Sequence, residues 1–244
     1  MSGARQPALN RRQWISAGLK ASATAGVLAP MLSSCATDLA RQADAPVPAL
    51  AARLGVCAAS HATLQAGRPQ PAVQLAGCGD AAVPGPAPVF QAASLTKPLA
   101  AYVALQLVRR GTLDLRAPVS HYLAGGYLHR QRPFAGPANR QADRVDAQTL
   151  ARIPLGSLLN HSAGLPNWTS GPLAPQFAPG ARWQYSGEGY LLLQAAIEAA
   201  TGQPFADVVQ ATAFGPLGMH DSRLRLTDDI RSRLVAGSNG LGQR

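Results

Sequence analysis

The hydrophobic and polar positions divide the chain into a strand-rich start and a mainly helical remainder. Residues 52–80 contain short apolar runs on either side of a turn signal at residues 67–69, which predicts a β-hairpin. Between Ser94 and about Arg110 the apolar residues recur at helical spacing, and Gly111 then ends the predicted helix. Further helices are predicted at residues 155–159, 189–200 and 205–213. Residues 125–146 are polar and rich in arginine, which predicts a surface insertion.

Composition bounds the classes of protein that this chain can be. It has 244 residues, 47% of them hydrophobic, so it can bury a sizeable core in one large domain or two small ones. The formal net charge is +10, but four basic residues and no acidic ones precede residue 36. The rest carries 18 basic and 12 acidic residues, a net charge of +6. These arginines are scattered without interleaved aromatic residues, so we expect no nucleic-acid partner.

The first 35 residues resemble an export signal. Arg11 and Arg12 precede a short apolar stretch at residues 21–32, and small residues then lead to Cys35. This order predicts a twin-arginine-like lipoprotein signal over residues 1–35, with Cys35 lipidated and residues 36–50 forming a flexible tether. The expected location is the periplasmic side of the cell envelope, with membrane attachment through the lipid. The alternative is an ordinary buried cysteine in a short helix.

Two further cysteines, Cys57 and Cys78, flank the predicted hairpin turn. If the hairpin turns at residues 67–68, the two cysteines fall directly opposite each other on neighbouring strands, where they could form a disulfide bond. Pro69 and Pro71 make that register uncertain, because neither can donate a hydrogen bond to the ladder. The alternative is two buried free thiols, and the sequence leaves both possibilities open.

Lysine use points to a candidate nucleophile. The chain has twenty arginines and two lysines, and one lysine, Lys20, lies in the predicted leader. The other, Lys97, stands three residues after Ser94. A lysine, unlike an arginine, can give up its proton when its surroundings lower its pKa. The Ser-x-x-Lys spacing therefore suggests a hydroxyl activated by a neutral amine, although a surface lysine near a serine is the alternative for this pattern alone.

A second candidate is Tyr185, which stands just before the predicted helix at residues 189–200. If its side chain points at Ser94, it can share a proton with Lys97, because a neighbouring ammonium favours the phenolate and lowers the pKa of a tyrosine. A tyrosine that merely packs at a helix start is the alternative.

Several stretches in a fixed order resemble the penicillin-recognising serine hydrolases, that is, the class C β-lactamases, the D-alanyl-D-alanine carboxypeptidases and their esterase relatives. The resemblance covers about residues 50–225 and rests on FQAASLTK at residues 90–97, LLNHSAGLP at 158–166, YSG at 185–187 and PLGM at 216–219. It implies an α+β, β-lactamase-like fold, with an antiparallel sheet flanked by helices and a mostly helical subdomain, here expected over residues 51–244.

The resemblance also implies a mechanism. Ser94 would be the nucleophile of an acyl-enzyme reaction on an ester, a β-lactam or a D-Ala-type amide, with Lys97 and Tyr185 as the acid–base pair. The Ser94 backbone N–H would be one oxyanion donor. The partner would be a small-molecule acyl substrate, with no cofactor and no metal, and the oligomeric state is left open. His161 is expected to support its loop rather than the chemistry.

Two departures from the family pattern matter. Gly187 stands where the family usually has asparagine, which would hold the lysine and grip a substrate amide, so ester hydrolysis is favoured. The family's third motif, Lys-Thr-Gly or His-x-Gly, does not occur after Tyr185. We therefore expect a truncated gene product lacking the C-terminal strands, with activity in doubt. The alternatives are an inactive remnant that at most binds a ligand or partner, and an unrelated envelope lipoprotein with chance matches.

Overall fold

This computed structural model describes residues 46–53, 56, 58–70, 73–76, 87–132 and 141–237. The chain divides into two compact units, with the boundary between residues 83 and 84. That boundary falls inside the segment 51–244, which the sequence predicts as one hydrolase domain.

The described part of the first unit contains a short helix and a hairpin. Helix α1 covers Val47–Arg53 and begins inside the segment whose composition predicts a tether. The outer strands of the hairpin, β1 (Ala58–His61) and β4 (Val73–Ala76), pair antiparallel, and the inner strands, β2 (Leu64–Gln65) and β3 (Arg68–Pro69), continue the hairpin to its turn.

The register of this hairpin differs from the predicted one by one residue in the outer strands and by two in the inner strands, where Leu64 pairs with Pro69. Ala58 pairs with Ala76 across the outer strands, whereas a turn at residues 67–68 would have placed Ala58 opposite residue 77. The turn is formed instead by Ala66 and Gly67, which both have positive φ angles, of 49° and 75°. Positive φ at both central residues matches the right-handed twist of the strands in a two-residue turn. Cys57 and Cys78 lie outside the described residues, so the disulfide stays a prediction.

The second unit is built on helices that pack around one apolar core. Helix α2 covers Thr96–Arg109 and follows a 3₁₀ turn at Ala93–Leu95. Its buried residues follow the spacing of one helix face, which is why the pattern predicted it: Ala100, Val103, Ala104 and Leu107.

The remaining helices of this unit complete the core. They are α3 (Ala147–Leu150), α4 (Leu155–Leu159), α5 (Gly187–Thr201), α6 (Phe205–Val209), which continues as a π-helical turn at Gln210–Phe214, and α7 (Asp228–Arg231). Helix α5 lies at the centre, because it contacts α2, α4 and α6. Its side chains Leu193 and Ile197 are fully buried, and truncating either to alanine would cost about 2–5 kcal/mol.

The segment predicted as a polar surface insertion contains a second hairpin, which the sequence analysis did not predict. Strand β5 (Tyr127–Arg130) pairs antiparallel with β6 (Ala142–Val145). His129 in β5 is fully buried. Its polar ring can be buried because neighbouring side chains bind it. The composition of the segment does not reveal this burial, because it is dominated by arginines, which are exposed.

Residue 89 is joined to a distant part of the chain. Val89 forms a parallel bridge with Leu234. The backbone N–H of Val89 donates to the carbonyl oxygen of Arg233 at 2.9 Å, and the N–H of Val235 donates to the carbonyl oxygen of Val89 at 2.8 Å. The segment that leads into the Ser94 turn is thereby held from the far end of the described residues. Across the described ranges, no helix is long and apolar enough to cross a membrane.

Candidate active site

Ser94 and Lys97 meet at the start of helix α2. Ser94 lies in the 3₁₀ turn before the helix and Lys97 in its first turn, so the three-residue spacing puts both side chains on one face. The Lys97 Nζ donates a hydrogen bond to the Ser94 Oγ at 3.0 Å. Ala93, directly before Ser94, has a φ of 43°, which is uncommon for a residue with a Cβ and marks local backbone strain.

Tyr185 completes the group from another part of the chain. The Lys97 Nζ lies 4.8 Å from the centroid of its ring. Hydrogen bonds with Lys97 and with Ser94, together with the lysine's positive charge, lower the pKa of Tyr185 below its usual value of 10 despite the opposing effect of burial. The structure thus brings the three predicted side chains together. Their catalytic roles stay a prediction.

Ser186 fixes the backbone next to Tyr185. It is the N-cap of helix α5, and its Oγ accepts a hydrogen bond from the N–H of Gly189 at 2.7 Å. The same Oγ donates to the carbonyl oxygen of Pro166 at 2.7 Å. Because the side chain is buried and both bonds are made, the cap ties the helix start to the neighbouring loop and holds the tyrosine in place.

His161 supports this arrangement, as the sequence predicts, and it also contacts Tyr185. Its Nδ1 accepts a hydrogen bond from the backbone N–H of Ser186 at 3.1 Å. Its ring centroid lies 4.7 Å from that of Tyr185 and 5.2 Å from that of Tyr190. Burial, and then the positive charge of Lys97, lower the pKa of His161 below its usual 6.5. The neutral ring is the form that can accept from Ser186.

The loop at residues 160–166 is docked onto the segment that follows it. The carbonyl oxygen of Gly164 accepts from the N–H of Gln176, and that of Ser162 accepts from the N–H of Gly180, both at 2.8 Å. Gly164 has a φ of 83°, and a Cβ there would collide with the carbonyl oxygen of Phe177. Only glycine fits both conditions, which explains the glycine in the stretch LLNHSAGLP.

Two further aromatic rings surround Lys97. Its Nζ lies 5.8 Å from the ring centroid of Tyr190 and 6.0 Å from that of Trp168. Sequence reasoning did not identify Trp168. The one signal for it in the sequence was Gly187, which stands where the family usually has asparagine. A residue without a side chain leaves space that a neighbouring side chain can fill.

A cluster of ionisable side chains, formed by His129, Asp143 and Glu188, adjoins the first turn of helix α5. Glu188 in the first turn of α5 and His129 in β5 are both fully buried. The His129 Nδ1 lies 2.7 Å from the Asp143 Oδ1, and its Nε2 lies 3.2 Å from the Glu188 Oε2. The second contact is not a hydrogen bond. A second oxygen of Glu188 accepts from the backbone N–H of Thr169 at 3.1 Å, which connects the cluster to the loop that carries Trp168.

The environment of Asp143 keeps this carboxylate ionised. Burial raises its pKa, but hydrogen bonds from His129, from the backbone N–H of Leu173 and from Gln131 outweigh burial and lower it below the usual value.

Among the residues that the structure describes, no group of three or more His, Cys, Asp or Glu side chains is arranged to hold a metal ion. Cys35 lies outside the described residues.

Comparison with solved structures defines the fold class. A crystal structure of a class C β-lactamase aligns with a TM-score of 0.62 at 20% identity, over 85% of this chain and 57% of the other. This likeness confirms the α+β, β-lactamase-like fold. Residues 70–244 match the family model described as Beta-lactamase. The chain therefore belongs to the β-lactamase family.

Two relatives indicate the range of that family. Esterase EstB of Burkholderia gladioli is 34% identical over 165 residues, which cover 54% of this chain and 38% of the esterase. Penicillin-binding protein 4* of Bacillus subtilis (strain 168) is 29% identical over 159 residues, covering 56% of this chain and 30% of that protein. The chain thus matches less than half the length of either relative.

Proposed function

We propose that this chain is a serine hydrolase that works through an acyl-enzyme, with Ser94 as the nucleophile. The observation that carries the proposal is the 3.0 Å hydrogen bond between the Lys97 Nζ and the Ser94 Oγ. It is supported by Tyr185, whose pKa is lowered by hydrogen bonds to both residues. A hydroxyl within reach of an acid–base pair is the arrangement that nucleophilic catalysis needs.

In the first half-reaction the Tyr185 phenolate accepts the proton of the Ser94 hydroxyl while the Ser94 oxygen bonds to the substrate's carbonyl carbon. The Lys97 ammonium stabilises the phenolate before transfer. The backbone N–H of Ser94 donates to the developing oxyanion, at a helix start where the dipole favours negative charge. When the intermediate collapses, the bond to the leaving group breaks and that group takes the proton from Tyr185.

In the second half-reaction a water molecule attacks the acyl carbon. The Tyr185 phenolate takes a proton from the water, and after collapse it returns that proton to the Ser94 oxygen. The acid is released and the free enzyme is regenerated, so the proton balance closes over the cycle. Esters are the favoured substrates, because Gly187 offers no side-chain amide to grip a substrate amide, and because the esterase is among the relatives at 34% identity.

The test is active-site labelling of the folded 244-residue chain with a fluorophosphonate probe. We expect stoichiometric labelling that is lost in Ser94→Ala, with hydrolysis of a chromogenic acetyl ester lost in parallel. Lys97→Met and Tyr185→Phe should remain folded and lose activity by about 10²-fold or more. Folded wild-type protein that takes no label would favour instead a non-catalytic member of the family.

We also propose that the protein is exported and anchored by lipid on Cys35. The support is the order of the double arginine, the apolar stretch and the small residues before this cysteine. Incorporation of labelled palmitate into the wild type but not into Cys35→Ser, in cells that express the full chain, would be the expected result. Equal labelling of both proteins would contradict the anchor.

A further inference from the structure

The space left by Gly187 is filled by the indole ring of Trp168. A Cβ placed on Gly187 would lie 2.5 Å from the Trp168 Cζ2 and 2.7 Å from its Cζ3, closer than real Cβ contacts. Any side chain at residue 187 would therefore have to displace the ring. The two positions form a complementary pair, in which the smallest residue accommodates the largest.

The backbone on both sides of Trp168 is bound to the first turn of helix α5. The carbonyl oxygen of Asn167 accepts from the N–H groups of Gly187 and Glu188 at 3.0 and 3.1 Å. The N–H of Thr169 donates to a buried oxygen of Glu188 at 3.1 Å. The segment that carries the indole thus cannot leave Gly187 without breaking several hydrogen bonds, which hold the backbone of Trp168 beside the start of helix α5.

Trp168 also faces the reactive groups. Its ring centroid lies 6.0 Å from the Lys97 Nζ, and 41% of the residue remains exposed. An acyl group on the Ser94 Oγ lies beside the Lys97 amine, 3.0 Å from that oxygen, and hence beside the rings that surround it. The indole is therefore within reach of the part of the substrate that stays on the enzyme after the leaving group departs.

The side-chain oxygens of two nearby asparagines are engaged in bonds within the protein. The Oδ1 of Asn160 accepts from both the N–H and the hydroxyl of Ser162, at 3.1 and 2.6 Å. The Oδ1 of Asn167 accepts from the N–H of Gly187 at 3.1 Å. The Lys97 amine itself is bordered by three aromatic rings, those of Tyr185, Tyr190 and Trp168.

We propose that Trp168 is a specificity-determining residue, whose exposed indole face receives a flat, apolar acyl substituent beside Lys97. This inference rests on the proposed function and names its substrate class: esters of aromatic or other flat, apolar acids. Stacking on the indole stabilises such an acyl group, whereas an acyl chain bearing an amide finds no side-chain partner at residue 187.

The test compares esters that share one leaving group and differ in the acid, a phenylacetyl ester against an acetyl ester. We expect Trp168→Ala to lower the phenylacetyl-to-acetyl ratio of kcat/KM by about three- to tenfold, and Trp168→Phe to restore much of it. The matched control is Trp183→Ala, which removes another exposed indole and should leave the ratio unchanged. A second series varies the leaving group while keeping the acetyl group.

The outcomes separate the two proposals. If wild type is labelled at Ser94 and hydrolyses both esters but the ratio is the same in Trp168→Ala, the role of Trp168 is wrong and the proposed function stands. A change that follows the leaving group rather than the acid overturns the acyl assignment. If wild type neither takes the label nor hydrolyses either ester, both proposals fail.

A structural measurement covers the case in which Trp168→Ala folds poorly. Gly187→Ala alone should lower the thermal unfolding temperature, because its Cβ collides with the indole. In the Trp168→Ala background the same Gly187→Ala change should cost little, because the space is then open. Equal effects of Gly187→Ala in both backgrounds would show that the two residues do not share this space and would overturn the inference.

Discussion

Removing the carboxylate of Glu188 tests whether the buried cluster holds the site together. Glu188→Ala would remove the buried carboxylate that faces the Nε2 of His129 and would leave the N–H of Thr169 without its acceptor. The unsatisfied donor and the space left by a fully buried side chain together should cost about 3–5 kcal/mol, so a substantial part of the stability of an ordinary domain should be lost.

The assay is urea unfolding followed by circular dichroism at pH 7.5. With a slope of about 2 kcal/mol per molar urea, the midpoint of Glu188→Ala should fall by about 1.5–2.5 M. Glu188→Gln should lose less, because its side-chain oxygen can still accept from Thr169 and its side chain fills nearly the same space. Ester turnover should fall too, because Thr169 adjoins Trp168.

The matched control is Asp228→Ala, which removes a carboxylate whose side chain is fully exposed and whose contact with Arg231 is long, at 3.8 Å. This change should alter stability by no more than about 0.5 kcal/mol. If Glu188→Ala lowers the free energy of unfolding by less than about 1 kcal/mol, or by no more than the control does, Glu188 does not stabilise the fold in this way.

Three further changes test the site itself. Lys97→Met should raise the pKa of Tyr185 towards its usual 10, which moves the acidic limb of the ester pH–rate profile to higher pH, and an unmoved limb would contradict the phenolate role. Ser186→Ala should cost about 1–3 kcal/mol in urea unfolding, because the helix loses its cap and the carbonyl of Pro166 its donor; a neutral result would refute the cap. The lowered pKa of His161 means that its neutral form stabilises the fold fully above about pH 6.5, and that this contribution is lost as the pH falls through 6.5 towards the lowered value. The stability difference between wild type and His161→Asn should therefore shrink between pH 7.5 and 5.5, and a constant difference would refute the assignment.

The helical part of the fold and the core of the site were accessible from sequence because their signals are local. Ser94 and Lys97 lie within one helical turn, so their spacing alone puts them together. Helix α2 shows its buried face directly in the apolar pattern. Tyr185 is far away along the chain, and only the ordered resemblance to a family related it to the other two.

The parts that sequence reasoning missed depend on contacts between distant segments. His129 lies in a segment whose arginines dominate the composition, and a four-residue strand is too short to show a clear period. The neighbours that make its burial tolerable, Asp143 and Glu188, are 14 and 59 positions away. Similarly, a glycine at residue 187 indicates free space, but not that Trp168 fills it. The hairpin register shifted because Ala66 adopts a positive φ that glycine usually supplies.

The bridge between Val89 and Leu234 has a consequence for how the protein is made. The 3₁₀ turn that holds Ser94 begins four residues after Val89, yet the backbone that anchors the segment before it comes from about 145 positions later. During synthesis from the N-terminus, Ser94 leaves the ribosome long before that partner exists. Contacts so distant in sequence form late, so nascent chains released before residue 235 should carry helix α2 with its entry segment still unpaired.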